Sequence, residues 1–579
     1  MLVLDAAARQ SAVLPLSEDV IAKTLGGKGL GVHLLTEFLP PGADPLAPEA
    51  PIIFVPGPAA GSPIWGSCRY GAYAKSPLTG LWGESYSGGH LAERMAETGF
   101  DAFIITGQAS GPVWIEVTEQ GGIFHDASGL WGKDTTETET SLVDTLAKRH
   151  GAKAGALTIG PAGENLVRFA VLENDLWRSA GRGGMGAVLG SKRIKAVAFW
   201  GNRHKLAGDE KTSAEFVKEL AGRSKTDAGV AAYKKLGTPM LVDTMNACGG
   251  FPARCWTKGQ SGRREAINAA ALLSRCEVKS SACAKCFMAC GKLSTVKEGP
   301  YAGLTVEGPE YETIYAFGGL CEVGSIEEIL YLNDICDRLG LDTISAGNLV
   351  ALAIEAGRQG IIPKEADYGD TEGIARLLRK TASGEGVGAV MALGIRHAAR
   401  TWNMEDQAVH VKGMEPAGYD PRRLKGMGLA YATSDRGACH LRATFYKPEL
   451  AGMVDPAATT GKAAVFVEWE DRLTFFDMLI VCRFYRDLYQ WPELVRITKA
   501  LTGKDYSIAE LQTLARETKD AVRRFNLREG WTPEDDALPH KLLHNALPEN
   551  GHRITDEDMQ VMLREYYQAR GWDAAGTPP

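Results

Sequence analysis

The strongest chemical signature in this sequence is Cys283-Ala-Lys-Cys286-Phe-Met-Ala-Cys290, a C-x2-C-x3-C run. Three thiolates so close in the chain can bind adjacent corners of one soft metal centre. Zinc and a cubane iron–sulfur cluster both accept such ligands, and both want a fourth. The spacing favours a [4Fe–4S] cluster, because zinc sites more often join two C-x2-C knuckles. The plain alternative is a group of small buried residues that bind nothing. Spacing leaves the fourth ligand open among Cys248, Cys255, Cys276, Cys321, Cys336, Cys439 and Cys482. A cluster implies one-electron transfer, and a chain of this size is expected to carry a second centre.

Glycine runs are the second candidate for chemistry. Gly26-Gly-Lys-Gly-Leu-Gly31 resembles a phosphate loop, but no Ser or Thr follows Lys28 and a helical segment precedes it. Neither a P-loop nor a dinucleotide fingerprint is satisfied. The run Ala180-Gly-Arg-Gly-Gly-Met-Gly186, with Gly190-Ser-Lys192 behind it, fits neither pattern. Ser85-Tyr-Ser-Gly-Gly89 follows soon after Arg69. Backbone N–H groups and arginines from such turns can converge on a bulky anionic cofactor, or the turns are simply tight.

The elements that must position these residues change character along the chain. Glycine accounts for 67 of 579 residues, and the first 200 residues hold 29 of them against 10 in residues 421–579. No G-X-Y period accompanies them, so they mark turns and close backbone approaches. Strand-like runs lie at Pro51–Pro56, Ala102–Thr106, Val113–Val117 and Ala196–Trp200. After the charged stretch Asn202–Lys211 the apolar spacing becomes helical, at Thr212–Leu220, Ser325–Leu339 and Ser345–Gly357. Thr555, followed by Glu557 and Asp558, starts a final helix. The expected fold is α+β: a β-rich base over residues 1–207, then mainly helical domains over 208–408 and 409–579.

Net charge is −7, from 64 basic and 71 acidic residues, which argues against a nucleic-acid surface. No apolar run is long enough to span a membrane, and no N-terminal segment reads as a secretory signal. Eleven cysteines in such a chain read as reduced thiols or metal ligands in a cytoplasmic protein.

Several motifs together resemble the tungsten-containing aldehyde:ferredoxin oxidoreductases, over essentially the whole chain. They are Gly26–Gly31, Arg69–Gly80 (RYGAYAKSPLTG), Ser85–Gly89, Ala180–Lys192, the cysteine run, Val306–Thr313 (VEGPEYET), Asp337–Thr343 (DRLGLDT), Ala430–Arg442 (AYATSDRGACHLR) and Asp477–Tyr485 (DMLIVCRFY). The resemblance implies tungsten held between two pterin dithiolenes, magnesium joining the pterin phosphates, and a [4Fe–4S] cluster beside one pterin. It selects Cys482 as fourth cluster ligand, with Cys283, Cys286 and Cys290. It places Arg69 between cluster and pterin, and Tyr86, Gly88, Ala180 and Arg182 around the phosphates and magnesium. Asp337, Gly340, Leu341 and Asp342 match the D-x-x-G-L-D pterin motif. Asp477 belongs to a looser second copy in which Ile480 replaces glycine. Arg442 is carried over with the cofactor-binding residues.

The resemblance also puts Glu312, Tyr311 and His440 beside the tungsten. Read alone, Glu310 and Glu312 fit the first turn of a helix opened by Pro309, and His440 fits a buried hydrogen-bonded histidine. Tyr86 stands where some relatives have asparagine. The E-x-x-H motif that holds an interface metal in some relatives has only Glu327 and Glu328 here, so an oligomer without that metal is expected. The implied activity is oxidation of aldehydes to carboxylic acids in an anaerobe or facultative anaerobe, with ferredoxin or a dedicated iron–sulfur subunit as acceptor. Competing readings are a benzoyl-CoA reductase-type ring-reducing subunit, which would draw attention to Cys439 or Cys321, and an iron–sulfur or zinc relay protein without tungsten.

Overall fold

Alternating apolar residues in the first 200 positions build two six-stranded sheets. The computed structural model describes residues 1–151, 153–204 and 207–579. The first sheet contains β1 (Leu2–Asp5), β2 (Gln10–Val13), β3 (Ile52–Val55), β4 (Tyr70–Lys75), β5 (Trp82–Ser87) and β6 (Phe103–Thr106), in the order β2-β1-β6-β3-β4-β5. The second contains β7 (Val113–Thr118), β8 (Gly121–Asp126), β9 (Gly155–Thr158), β10 (Leu172–Asn174), β11 (Arg178–Ala180) and β12 (Ile194–Phe199), in the order β11-β10-β9-β12-β7-β8. Only β1 with β6 and β7 with β12 pair in parallel.

The two-residue period of a strand sends neighbours to opposite faces. Phe54, Ala72 and Ile105 therefore join Ile115, Leu157 and Val197 in a core shared by both sheets. Ile53, Tyr73, Trp82 and Ile104 point the other way and meet Leu30, Leu34 and Leu35 of the helix Gly27–Phe38. With both faces covered, β4 is buried along its length.

All four strand-like runs are strands, and the helical periodicities become the helices Glu210–Arg223, Ile326–Leu339 and Thr343–Arg358. Ser325 caps the second, with its side chain accepting the Glu328 N–H. Thr555 and Asp558 form a reciprocal capping box on the last helix, Asp556–Arg570. The proposed 207/208 boundary falls within the charged segment Asn202–Lys211, of which residues 205–206 lie outside the described residues.

The central region departs from its helical expectation. It carries an antiparallel sheet of β13 (Cys276–Ser281), β14 (Gly291–Val296) and β15 (Thr305–Glu307). Ser, Thr, Val and Lys alternate there without a 3.6-residue period, so a hairpin satisfies the backbone where a helix would bury no continuous face. Beyond it, one apolar cluster runs from Leu241 through Tyr315 and Tyr431 to Trp572, so the later helices share a core. Among the described residues, no helix is long and apolar enough to cross a membrane.

Candidate active site

The cysteine run is the loop that joins β13 to β14, with Cys290 immediately before β14. Two contacts from the N-terminal sheets hang it in place: the Gly66 N–H donates to Lys285 O at 2.8 Å, and the Ala284 N–H to Gly89 O at 3.1 Å. Cys482 arrives from the far end of the chain, its N–H donating to Gly66 O at 2.9 Å. Gly66 thus ties both sources of thiol together. Tyr485 accepts the Phe287 N–H at 3.2 Å and donates to Cys286 Sγ at 3.6 Å. Burial first pushes the Cys286 and Cys290 thiols up; the nearby Cys482 and Cys283 add to this, after Glu310 in the case of Cys290.

The remaining fourth-ligand candidates sit elsewhere. Cys248 donates to Met245 O, Cys321 to Gly347 O, and Cys255 lies by Lys541. Cys276 begins β13 and Cys336 is buried in the helix Ile326–Leu339. Cys439 is held by Arg436 at 3.0 Å and the Leu441 N–H at 3.3 Å. Cys68, whose plain sequence reading is a small buried residue and not a ligand, is buried next to Arg69 and lies beside Cys283. Its adjacency to Arg69 was visible, but nothing local to residue 68 announces contact with residue 283. Among the described residues, no three His, Cys, Asp or Glu side chains are gathered tightly enough for a single metal ion. A zinc tetrahedron with bonds of about 2.3 Å to sulfur would need such a gathering, whereas a cubane spreads its four ligands.

Beside these thiols opens a cavity with about 1640 Å³ of empty space, including its mouth. Its wall includes Arg69, Tyr86, Gly88, Arg182, Asp337, Leu341, Asp342, Glu312, Tyr311, His440 and Cys482. The cavity joins most of the residues selected by resemblance, although they are up to 413 positions apart. Ala180, Arg442 and Asp477 stand behind the wall. Ala180 ends β11 in register with Leu172, leaving Ser179 and Gly181 to face the space. Arg442 Nη1 bridges Glu84 at 2.7 Å and Asp477 at 2.5 Å.

The D-x-x-G-L-D motif is a helix-to-helix corner. Asp337 closes the helix Ile326–Leu339, Gly340 caps it at φ 76°, and Asp342 caps the next helix by accepting the Ile344 N–H at 3.0 Å. Asp342 also accepts from Arg182 Nε at 3.0 Å and Ser345 at 2.9 Å. Burial raises the Asp337 carboxyl to about 8. The second copy repeats this corner: Ile480 caps the helix Ala463–Leu479 at φ 52°, and Cys482 precedes the short turn Arg483–Tyr485.

Tyr86 turns its hydroxyl to Glu84 at 2.8 Å, while its carbonyl accepts from Arg69 at 3.5 Å. The backbone carbonyl, not the tyrosine hydroxyl, is on the Arg69 side. Gly88 is needed for space: a Cβ there would stand 3.0 Å from Cys283 Sγ.

Gly26–Gly31 has a different role from phosphate binding. The run opens the helix Gly27–Phe38, and a Cβ on Gly27 would collide with the carbonyls of Asp477 and Met478. Lys28 is buried between Glu84 at 3.2 Å and Asp435 at 2.9 Å. The glycines permit a helix–backbone approach, and the lysine neutralises buried acids.

Glu312 lies in the first turn of the short helix Tyr311–Thr313, but Glu310 is its cap and Pro309 precedes it, so neither occupies the helical position expected from sequence. Glu312 Oε2 accepts the Gly418 N–H at 2.9 Å, whereas its buried Oε1 has no hydrogen-bond partner. Burial drives this carboxyl up to about 8, against the opposing Gly418 bond. His440 Nε2 stands 3.5 Å from Glu312 Oε1, and its Nδ1 is unpartnered. Burial and then Arg182, Arg436, Arg442 and Arg486 hold His440 well below the usual imidazole range. Tyr311 is committed elsewhere, donating to Gly418 O. Glu327 pairs with Arg275 at 3.1 Å, and Glu328 accepts from Ser325.

Residues 1–201 match the N-terminal domain of aldehyde ferredoxin oxidoreductase, and residues 215–579 match its domains 2 and 3. The chain belongs to the aldehyde ferredoxin oxidoreductase family. It is 34% identical to the tungsten-containing aldehyde ferredoxin oxidoreductase of Pyrococcus furiosus, over 97% of this chain and 94% of that one. It is 28% identical to the aliphatic sulfonate oxidoreductase, WOR-like subunit, of the same organism, over 97% and 92% of the two chains. In fold it is similar to the active-site complex BamBC of benzoyl coenzyme A reductase bound to 1,5-dienoyl-CoA, with a TM-score of 0.86, 22% identity, and coverage of 100% and 95%. As a member of this family the chain is an oxidoreductase.

The side chains present fit a large anionic cofactor. Arg69 Nε, Arg436 Nε, Arg483 Nε and Nη1, and Arg486 Nε are buried without partners around the cavity. Buried donors left unpaired cost free energy, and guanidinium groups suit phosphate oxygens. Arg182 is already satisfied within the protein, so sequence resemblance pointed to the scaffold, whereas Arg436, Arg483 and Arg486 supply the free donors. They lie inside quoted motifs or directly beside one, but composition and spacing gave no reason to select them.

Proposed function

We propose that this enzyme oxidises aldehydes to carboxylic acids at a bis-pterin tungsten centre and passes electrons through a [4Fe–4S] cluster to ferredoxin or a partner iron–sulfur subunit. The observation that carries this reading is the Glu312–His440 pair in the wall of a cavity also lined by guanidiniums with unpaired N–H groups and by Cys290 and Cys482. When bound, tungsten supplies the two-electron step and the cluster the one-electron outlet.

The chain's own residues do the rest. Glu312, through its free Oε1, accepts a proton from water or a hydrated aldehyde; a base titrating near 8 is well matched to such a transfer. Neutral His440 hydrogen-bonds the substrate oxygen and fixes its approach. Arg69, Arg436, Arg483 and Arg486 hold pterin phosphates, with the Tyr86 carbonyl offered toward magnesium. Asp337, Gly340, Leu341 and Asp342 seat one pterin, and the Asp477–Arg442 pair supports the other from behind the cavity wall. Cys283, Cys286, Cys290 and Cys482 hold the cluster. The domain bounds 1–207, 208–408 and 409–579 accompany this reading.

Ring reduction on the same scaffold is less well supported. Cys321 donates to Gly347 O and Cys439 is held by Arg436, so neither thiol lines the cavity. Metal analysis with an aldehyde panel and a viologen acceptor tests the proposal: one tungsten and four irons per chain with aldehyde-dependent reduction are expected. Zinc alone, or a fully loaded protein inert to every aldehyde, would overturn it.

A further inference from the structure

Arginines without carboxylate partners gather at a second place, away from the cavity. A pocket at the seam between the first sheet's loops and the helix Ile395–Trp402 is walled by Arg168, Arg396 and Arg400, with His397 beside them. Its floor is the turn Pro77–Gly80, and it encloses about 890 Å³ including its mouth. Among the described residues, none of the three guanidiniums has an ion pair or side-chain hydrogen bond. The only acid in the lining, Asp44, accepts the Leu46 N–H at 2.8 Å. Glu405, Glu534 and Asp535 face Arg396 and Arg400 from the adjoining pocket, without reaching ion-pair distance.

Arg168, His397 and Arg400 are exposed, and two further features mark the patch. Arg396 is half-buried with its guanidinium against Gly413; burial lowers its basicity, Asp535 opposes that shift and Arg400 adds to it. The helix Ile395–Trp402 begins at Gly394 without a capping side chain, and its first turn lines the pocket. Its open N–H groups add to the positive field. Within the lining, three arginines and one acid suit a dianion better than a carboxylate, with Glu405, Glu534 and Asp535 opposing from the adjoining pocket. Planar guanidiniums grip phosphoryl oxygens two at a time.

We propose that this seam pocket binds a phosphate-bearing anion through Arg168, Arg396 and Arg400. The site is separate from the pterin cavity. The turn beneath it packs on the loop of His440: a Cβ on Gly437 would stand 3.5 Å from Thr79 Cγ2. An occupant would therefore brace the loop that carries a proposed substrate contact.

Calorimetry on the metal-loaded protein, with inorganic pyrophosphate, AMP and acetate, tests the assignment. Pyrophosphate is expected to bind saturably and acetate at least about tenfold more weakly. Arg396→Gln should lower pyrophosphate affinity by about tenfold, and Arg396→Gln/Arg400→Gln should abolish binding while the far-ultraviolet spectrum and cofactor content stay unchanged. Asp44→Asn should tighten binding. Pyrophosphate alone would identify a free inorganic anion, and AMP as well a phosphate ester; either supports the site. No saturable binding to the native protein, or equal affinity in the double variant, would overturn it.

Discussion

His440 Nε2 and Glu312 Oε1 stand 3.5 Å apart, each with an atom that the protein leaves unpartnered. They are 128 positions apart in the chain, one on a single-turn helix and one on a loop. Neither neutralises the other: burial favours the uncharged form of both, so the pair presents a carboxyl and a neutral imidazole side by side to the cavity.

Replacing Glu312 by Gln keeps shape and hydrogen bonding to Gly418 but removes the base. We expect kcat to fall by about 10²–10⁴, the usual contribution of general-base catalysis, with tungsten and iron content unchanged. Full activity in a fully loaded Glu312→Gln protein would remove Glu312 from the mechanism.

The pH profile follows from the same carboxyl. Its ionisation is raised to about 8, so it is mainly protonated at neutral pH and becomes a base as pH climbs through that value. Aldehyde kcat/KM should rise with pH along a limb near 8 that Glu312→Gln abolishes. His440 is held well below its ordinary value; acidification from 7 to 6 should add no separate inhibitory step from its protonation. A second limb in that interval, lost in His440→Asn, would contradict this.

Thiol chemistry separates Cys482 from Cys68. With Cys283, Cys286, Cys290 and Cys482 as the proposed ligands, Cys482→Ser should lose the cluster, whereas Cys68→Ser, beside Cys283 but outside that set, should retain four irons per chain. Iron analysis with electron paramagnetic resonance of the reduced proteins reads both outcomes. Iron loss in Cys68→Ser alone would exchange their roles.

Lys28 provides a stability prediction. Lys28→Met leaves Glu84 and Asp435 with one cation fewer inside the protein. Removing one partner of a buried ion pair typically costs about 3–5 kcal/mol; Arg442 and Lys519 remain to compensate, so the lower end is expected in denaturant unfolding. A loss confined to cofactor affinity would restore the phosphate-loop reading of Gly26–Gly31.

Ile480 caps a helix in a left-handed conformation that β-branched residues avoid, yet its side chain is buried. Ile480→Gly relieves about 1–2 kcal/mol of backbone strain. It also forfeits buried aliphatic surface, for which truncation commonly costs about 2–5 kcal/mol. The net expectation is a lower melting temperature, and stabilisation would show that strain dominates at this corner.

Local pattern was enough for much of this chain. The two-residue period of Ile52–Val55, the caps at Ser325 and Thr555, and the thiol spacing at Cys283–Cys290 are short-range properties, governed by backbone geometry and hydrogen bonding within a few residues. Motif resemblance extended that reading to Glu312, His440 and the D-x-x-G-L-D corner. It could not show that Ala180 turns from the cavity, that Gly27 admits a helix backbone, or that β13 and β14 replace helix around the cysteines. Those outcomes depend on residues hundreds of positions away: Gly66 joining Lys285 to Cys482, Asp477 meeting Gly27, Cys68 resting on Cys283, and unpaired arginines converging from distant motifs. By itself the sequence determined which elements form and which chemical groups are available. Only the tertiary structure decided which groups share a buried space, because burial and charge become strong when water is excluded from both partners at once.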